Sequence, residues 1–368
     1  MALRLVAWES TAACNLACVH CRAEAKTDPD PGELDTAEVK TLVRDIASMP
    51  RTAPGPLIFI ISGGEPLVRP DVFEIAAYSS ACGLHTVVGT NGTLLDRTTV
   101  KMLLEARVAG LSVSLDGPGP ETHDEFRAVP GAFEDATRGL AEARRQGLPF
   151  QINTTVTGRT ARHLPAMLEK AVELGASTWD VFMLVPTGRG ASEAGVSAAD
   201  YERILAWVAE KSVSAPIQVK VTCGPHYARV WRRRVGTEGG HPARASLPGR
   251  AGPPRPPTGC LAGDGFCFVS RVGDVNPCGY LPVSAGNVRE RSFSDIYASS
   301  PVLGDLRDPG RLGGKCGRCE YGEVCRGCRA RAFSMSGDYL AEEPLCLWKP
   351  RTGRPPGVAA PVDGVARG

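Results

Sequence analysis

Short apolar runs alternate with longer amphipathic stretches from residue 5 to about residue 221, and this alternation restricts the fold more than any other feature. The predicted strands cover residues 5–9, 57–61, 84–89, 111–115, 150–156 and 178–184. The predicted helices cover residues near 35–49, 71–82, 96–107, 133–146, 162–174 and 199–211. Strands that alternate with helices form a parallel sheet with right-handed crossovers. We therefore predict an α/β fold, a partial (β/α)6 TIM-like barrel with its functional residues at the carboxyl ends of the strands.

Composition excludes several classes of protein. The 368-residue chain carries 42 basic and 40 acidic residues, a net charge of +2, so it lacks the general basic character of nucleic-acid-binding proteins. No segment reaches the ~18 consecutive apolar residues of a membrane-spanning helix, and the N-terminal apolar stretch is too short for a signal peptide. Thirteen cysteines in a chain of this length favour metal-bound thiolates in a reducing cytoplasm over disulfides.

Three cysteines after the first predicted strand, Cys14, Cys18 and Cys21, have the spacing C-x3-C-x2-C. A structural zinc site uses four protein ligands, whereas an iron-sulfur cluster held by three cysteines keeps one iron open. The triad therefore favours an iron-sulfur cluster with an open iron. The alternative is a zinc site, in which His20 would supply the fourth ligand.

The triad and residues 62–66, which read Ser-Gly-Gly-Glu-Pro, resemble the radical S-adenosylmethionine (SAM) enzymes. In that family the open iron of a [4Fe-4S] cluster chelates SAM, and reductive cleavage of SAM yields a 5′-deoxyadenosyl radical. The resemblance implies SAM contacts from His20, Gly63, Gly64, Glu65, Asn91, Ser114, Asp116 and Arg127. Taken singly, the glycine pair could be a plain tight turn, Asn91 and Asp116 turn caps, and Arg127 a solvated side chain.

Residues 1–221 are predicted to form the barrel, and the chain after them is predicted to divide into three parts. Residues 222–258 are assigned to a linker or mobile loop, because 236–258 are rich in glycine and proline. Residues 259–348 form a cysteine-rich domain. Residues 349–368, rich in proline, glycine and alanine, are expected to be a disordered tail.

Eight of the thirteen cysteines lie between Cys260 and Cys346. Their order resembles the SPASM extension of radical SAM enzymes, which binds auxiliary iron-sulfur clusters. The resemblance implies that one [4Fe-4S] cluster is held by Cys260, Cys267, Cys278 and Cys328, and a second by Cys316, Cys319, Cys325 and Cys346. One auxiliary cluster instead of two, or a zinc ribbon, are the alternatives. Cys82 is expected to be a buried thiol, and the role of Cys223 stays open.

The pattern as a whole, including residues 184–190, 223–227 and 327–332, looks most like the branch that acts on tetrapyrroles in haem and haem d1 biosynthesis. This resemblance implies oxidation and decarboxylation of propionate groups. Arg189 and Arg232 would pair with propionate carboxylates, and His226 would ligate iron. Arginines 229, 233, 329 and 331 are further candidates, and solvated arginines are the alternative.

Two other functions remain open from the sequence. One is a maturase that modifies a peptide or a partner protein, and the remote one is a plain iron-sulfur electron carrier. An electron carrier would need only closed clusters, which the open triad disfavours. A flavodoxin or ferredoxin is the expected reductant of the family.

Overall fold

A sheet of ten strands forms the frame of the computed structural model, which describes residues 3–51, 54–236 and 256–351. The strands are β1 (Leu5–Glu9), β2 (Ile58–Ser62), β3 (His85–Thr90), β4 (Gly110–Ser114), β5 (Phe150–Val156), β6 (Thr178–Met183), β7 (Gln218–Thr222), β8 (Phe266–Val269), β9 (Asp274–Asn276) and β10 (Gly286–Asn287). Their order is β10-β9-β8-β1-β2-β3-β4-β5-β6-β7. From β1 to β7 every pairing is parallel and follows the order of the chain. The six predicted strands are therefore present, and a seventh parallel strand, β7, follows them.

Helices connect these strands and cover the sheet. They are α1 (Thr36–Ser48), α2 (Val72–Ala81), α3 (Arg97–Glu105), α4 (Pro120–Arg127), α5 (Ala132–Gln146), α6 (Leu164–Leu174), α7 (Ala198–Ser214), α8 (Tyr227–Val235), α9 (Phe293–Ser299), α10 (Pro301–Arg307), α11 (Gly314–Gly317), α12 (Gly322–Cys325) and α13 (Arg329–Ser336). Helix α1 shows how the sequence determines where a helix begins and which face it buries. It begins with a capping box between Asp35 and Glu38, which satisfies two backbone amides at its start. Its buried residues recur at helical spacing, at Val39, Leu42, Val43 and Ile46.

Alternation along the strands decides which side chains face the helices and which face the barrel interior. In β1, Val6 and Trp8 are fully buried in the main hydrophobic core, whereas Leu5 and Ala7 line the interior cavity. The same alternation recurs in β2, β4, β5 and β6. The core thus lies between sheet and helices, and the interior is left for polar side chains.

The cysteine-rich region extends the barrel sheet. Strand β8 pairs in parallel with β1, with Cys267 opposite Val6, and β9 returns antiparallel to β8. β8 and β9 form a hairpin with Gly273 in its turn, at a φ of +96° that favours glycine. The second domain therefore continues the first through the sheet.

The structure differs from the predicted linker at its start. Residues 227–235 form α8, which packs against α7, although the sequence analysis places them in the linker. Residues 237–255 of the predicted linker and 352–368 of the predicted tail lie outside the described residues. Within the described part of the chain, no helix is long and apolar enough to cross a membrane.

Candidate active site

A cavity of about 640 Å³ occupies the barrel interior. Inward-facing residues of the parallel strands line it, among them Ser112, Asn153 and Phe182. The triad Cys14, Cys18 and Cys21 lines it as well, and so do Cys260, Cys278 and Cys328 of the second domain. This volume lies within the usual range of ligand sites. Three cysteines from each domain therefore line one chamber.

The backbone amides of Gly64 and Glu65 hold the triad loop in place. The amide of Gly64 donates to the carbonyl of Thr11 (2.7 Å), and the amide of Glu65 donates to the carbonyl of Ala13 (2.8 Å). A Cβ atom at position 64 would lie 2.2 Å from the carbonyl oxygen of Ala13, so this contact requires glycine. Gly63 and Gly64 line the cavity, and the Gly64 amide serves the loop, so their contacts with SAM stay a prediction.

Arg189 clamps the same loop from the opposite side. Its Nε donates to the carbonyl of Cys18 (2.9 Å), and its Nη1 donates to the carbonyl of Ala25 (3.1 Å). Its backbone amide donates to the carbonyl of Cys21 (3.0 Å). Arg189 is not among the residues that line the cavity. The described contacts of Arg189 thus hold the triad loop. The sequence analysis, in contrast, expects Arg189 to pair with a propionate group.

Glu65 lies behind the cavity wall. It is fully buried and accepts hydrogen bonds from Thr90 Oγ1 (2.8 Å), the Asn91 amide (2.7 Å) and the Leu67 amide (3.1 Å). Burial raises the pKa of Glu65 to about 6. Glu65 therefore positions Asn91, which does line the cavity and whose Nδ2 donates to Asn15 Oδ1 (2.8 Å).

Asp116 and Arg127 form a buried ion pair beside the triad. Arg127 lines the cavity, and its Nη1 lies 3.5 Å from Cys18 Sγ. Asp116 stands behind it and accepts from the amide of Thr155 (2.6 Å). Burial alone would lower the pKa of Arg127, but the negative charges of Asp116 and Cys18 outweigh it and raise that pKa. The pair thus keeps a fixed positive charge next to the triad.

His20 and Ser114 also reach the cavity. The His20 ring stacks on Phe126 with 4.0 Å between ring centroids. Burial lowers its pKa to about 3, so the ring is neutral. His20 thus offers the flat neutral wall that an adenine ring would stack against.

A second set of cysteines lies away from the barrel cavity. Cys316, Cys319, Cys325 and Cys346 surround a small cavity of about 20 Å³. The thiol of Cys316 accepts from the amide of Glu343 (3.3 Å). His226 lines this small cavity too, fully buried and stacked on Tyr201 at 4.6 Å between centroids. His226 therefore lies beside this cysteine set and outside the barrel cavity. The sequence analysis, in contrast, expects His226 to ligate the iron of the substrate.

Cys267 does not join the other cysteines as predicted. Its neighbours in β8, Phe266 and Phe268, line the barrel cavity. Because strand residues alternate between faces, the thiol of Cys267 points the other way, where it is fully buried in the main core. The sequence order of the cysteines could not reveal this orientation.

Three arginines suggested as substrate ligands lie elsewhere. Arg232 is on α8 and does not line the cavity. Arg229 is buried in an ion pair with Glu202 (2.7 Å). Arg329 donates to the carbonyl of Ala341 (2.6 Å). These arginines serve protein contacts or lie outside the cavity.

Among the residues that the structure describes, the cationic side chains that line the cavity are Arg22, Arg127 and Lys220. Arg22 pairs with Glu9 (3.0 Å) and lies 4.7 Å from the ring centroid of Phe268. Lys220 lies 3.2 Å from Asp180 Oδ2. The sequence analysis missed both residues. The position of Lys220 between two valines in a short strand is the signal that could have pointed to an inward-facing charge.

The thiol donors fit iron-sulfur clusters. Three thiols with an open side toward a cavity suit a cluster that keeps one iron free, and four thiols around the small cavity suit a closed one. Among the described residues, no three His, Cys, Asp or Glu side chains are grouped to hold a single metal ion. Eleven of the thirteen cysteines line the barrel cavity or the small cavity instead.

Comparisons with known proteins agree with this geometry. The Radical SAM superfamily model matches residues 8–171, and the SPASM model, an iron-sulfur cluster-binding domain, matches residues 260–329. The AdoMet-dependent heme synthase of Methanosarcina barkeri is 52% identical, over 94% of this chain and 97% of that protein. The chain belongs to the radical SAM superfamily. The enzyme of the same name from Oleidesulfovibrio alaskensis is 45% identical, over 95% of this chain and 88% of that protein.

The radical SAM fold is also confirmed by a solved structure. SuiB of Streptococcus suis, crystallised with S-adenosylmethionine, superposes with a TM-score of 0.72 at 17% identity, covering 94% of this chain and 78% of SuiB. The predicted fold class, a partial barrel with a SPASM domain, is therefore confirmed. Family membership likewise confirms that this is an enzyme and that its cofactors are SAM and iron-sulfur clusters.

Proposed function

We propose that this radical SAM enzyme is a haem synthase that converts propionate groups of an iron tetrapyrrole into vinyl groups. The observation that carries the proposal is the 52% identity to a haem synthase over nearly the whole of both chains. The roomy, partly cationic cavity supports it, since a tetrapyrrole is large, flat and anionic.

The chain would hold three clusters and SAM in the arrangement described above. The triad Cys14, Cys18 and Cys21 would bind the SAM cluster, with Asn91 and Arg127 at its side. When bound, SAM and the clusters supply a hydrogen-abstracting 5′-deoxyadenosyl radical and an acceptor for the electron that each propionate releases with carbon dioxide. The protein's own contribution is to orient the substrate and shield the cavity from water.

Lys220 and Arg22 are proposed to hold the propionates. Both are cations inside the barrel, and both are already oriented by carboxylates, Asp180 and Glu9 respectively. Phe268 lies under the Arg22 guanidinium and offers an aromatic surface to the macrocycle. The substrate would therefore lie between charged and aromatic walls. As expected for the family, a flavodoxin or ferredoxin is proposed as the reductant.

Binding of iron-coproporphyrin, followed by its absorption bands under anaerobic conditions, tests this assignment. Lys220→Met should weaken binding about 10-fold, because the Lys220 side chain is 43% exposed and its charge is partly screened. Arg232→Met is the matched control and should bind like the wild-type enzyme. Equal weakening by both variants, or by neither, would contradict the placement of the substrate in the barrel.

Turnover gives the second measurement. Incubation with SAM, dithionite and iron-coproporphyrin should yield products that have lost carbon dioxide and two hydrogens per propionate, with matching formation of 5′-deoxyadenosine. If SAM is cleaved but the tetrapyrrole stays unchanged, the haem synthase proposal fails. Modification of a small peptide in the same assay would support the maturase alternative.

A further inference from the structure

Cys223 lies at the junction of the two domains, directly after β7. It lines the barrel cavity together with Cys260, Cys278 and Cys328. Cys223 and Cys278 also pack against the small hydrophobic cluster that contains Cys328. Three cysteines of the second domain thus line the same cavity as Cys223, and two of them pack in one cluster with it.

The position of Cys223 is fixed from several directions. Its carbonyl accepts hydrogen bonds from Arg331 Nη2 (2.9 Å) and from Tyr201 Oη (3.0 Å). Arg331 pairs in turn with Glu343, which accepts from the amide of Cys328 (2.7 Å). A buried chain of contacts therefore ties the backbone of Cys223 to that of Cys328. Cys223 also has a φ of +59°, which is uncommon for a residue with a side chain and turns the chain sharply at the cavity wall.

The four thiols share the barrel cavity, and Cys267 does not line it. Cys267 has a different environment. Burial raises its pKa to about 12, and the charges that act on it are those of Arg307 and Asp264. Arg307 is the last residue of α10.

We propose that Cys223 is the fourth ligand of the auxiliary cluster held by Cys260, Cys278 and Cys328, in place of Cys267. A closed [4Fe-4S] cluster needs four thiolates, and these four line one cavity. The cluster then bridges the barrel and the SPASM domain, because its ligands come from both. The proposal rests on the iron-sulfur domain and is independent of the substrate.

The consequence concerns the substrate chamber. The bridging cluster is bound at the wall of the same cavity that the SAM triad lines, so its electrons reach the chamber without crossing the protein core. The sulfurs of Cys316, Cys319, Cys325 and Cys346 form a second set farther out. Cys82 and Cys267 are then the two cysteines that hold no cluster.

Iron counting in matched variants tests the ligand assignment without any tetrapyrrole. In a background with Cys14, Cys18 and Cys21 all replaced by Ala, the enzyme should hold about eight irons per chain after anaerobic reconstitution. Adding Cys223→Ala should lower this value by one to four irons and change the electron paramagnetic resonance signal of the reduced protein. Adding Cys267→Ala should leave both iron content and signal unchanged. Loss of iron with Cys267→Ala but not with Cys223→Ala would overturn the proposal, and so would unchanged iron and signal in both variants.

A second measurement needs no substitution at Cys223. In the intact enzyme, alkylation of Cys223 by iodoacetamide should be blocked while clusters are bound and should rise after their removal with a chelator. Alkylation of Cys267 should stay low in both states, because the folded core buries it. Equal alkylation of Cys223 before and after cluster removal would reject it as a ligand. Because neither measurement depends on iron-coproporphyrin, failure here can be told apart from failure of the haem synthase proposal.

Discussion

Replacing Glu343 with Ala should destabilise the enzyme strongly, because it leaves a buried guanidinium without its counter-ion. Arg331 and Glu343 lie 3.2 Å apart, and both side chains are 1% exposed. Arg331 also donates to the carbonyls of Leu184 (3.0 Å) and Cys223 (2.9 Å). This pair therefore joins α13 and the segment after it to the ends of two barrel strands.

The size of the effect follows from this burial. Removing one partner of a buried ion pair costs about 3 to 5 kcal/mol, since the remaining charge has no water to solvate it. With a urea dependence of roughly 3 kcal/mol/M, the unfolding midpoint should fall by about 1 to 1.7 M. Glu343→Gln keeps an acceptor for the amide of Cys328 and should lose less. The assay is anaerobic urea unfolding of the reconstituted enzyme, followed by circular dichroism.

An exposed ion pair provides the control. Asp200 and Arg203 pair across one turn of α7 with side chains 41% and 79% exposed. Asp200→Ala should therefore shift the midpoint little, by less than about 0.3 M. If Glu343→Ala shifts the midpoint no more than Asp200→Ala does, the carbonyl contacts of Arg331 suffice and the ion pair does not stabilise the domain junction.

Two further predictions test the surroundings of the triad. Burial, followed by the charge of Arg127, lowers the pKa of His123 to about 4, below its ordinary value of 6.5. The contribution of neutral His123 to the free energy of unfolding is thus complete above pH 6.5. Between pH 6.5 and pH 4 it falls by roughly 1.4 kcal/mol per pH unit. His123→Asn should remove this slope from urea midpoints compared at about pH 7.5 and pH 5.5, and parallel pH dependence would refute the assignment. Gly64→Ala places a methyl group 2.2 Å from the Ala13 carbonyl, so it should lower bound iron and 5′-deoxyadenosine formation, while Gly119→Ala, with no atom within 4 Å, should change neither. Normal activity of Gly64→Ala would show that the loop can move aside.

The sequence predicted the elements whose signals are local. Alternating apolar runs gave the order of strands and helices, because periodicity reflects burial on one face of each element. The triad was found because its three ligands lie within eight residues on one loop. The glycine pair was found for a similar reason, although its main contact with Ala13 was not foreseen.

Side chains whose roles depend on distant contacts were predicted less well. The family resemblance and the side-chain types suggested Arg232 and His226 as substrate ligands, yet the first lies on α8 outside the cavity and the second lies beside the outer cysteine set. Lys220 was overlooked because its short strand was not recognised, and only the closed arrangement of strands shows that it faces the interior. A charged residue reveals its type in the sequence but not the direction in which it points.

The amino-acid sequence by itself determined the class of fold, the radical SAM motif and the supply of thiols for clusters. The tertiary structure decided which thiols meet. Cys267 has the expected place in the cysteine order, but strand alternation turns it into the core, while Cys223, which follows a different strand, reaches the cavity wall. A cluster requires thiols that converge in space, and convergence of residues from separate strands is set by the pairing and direction of those strands, which no local pattern records.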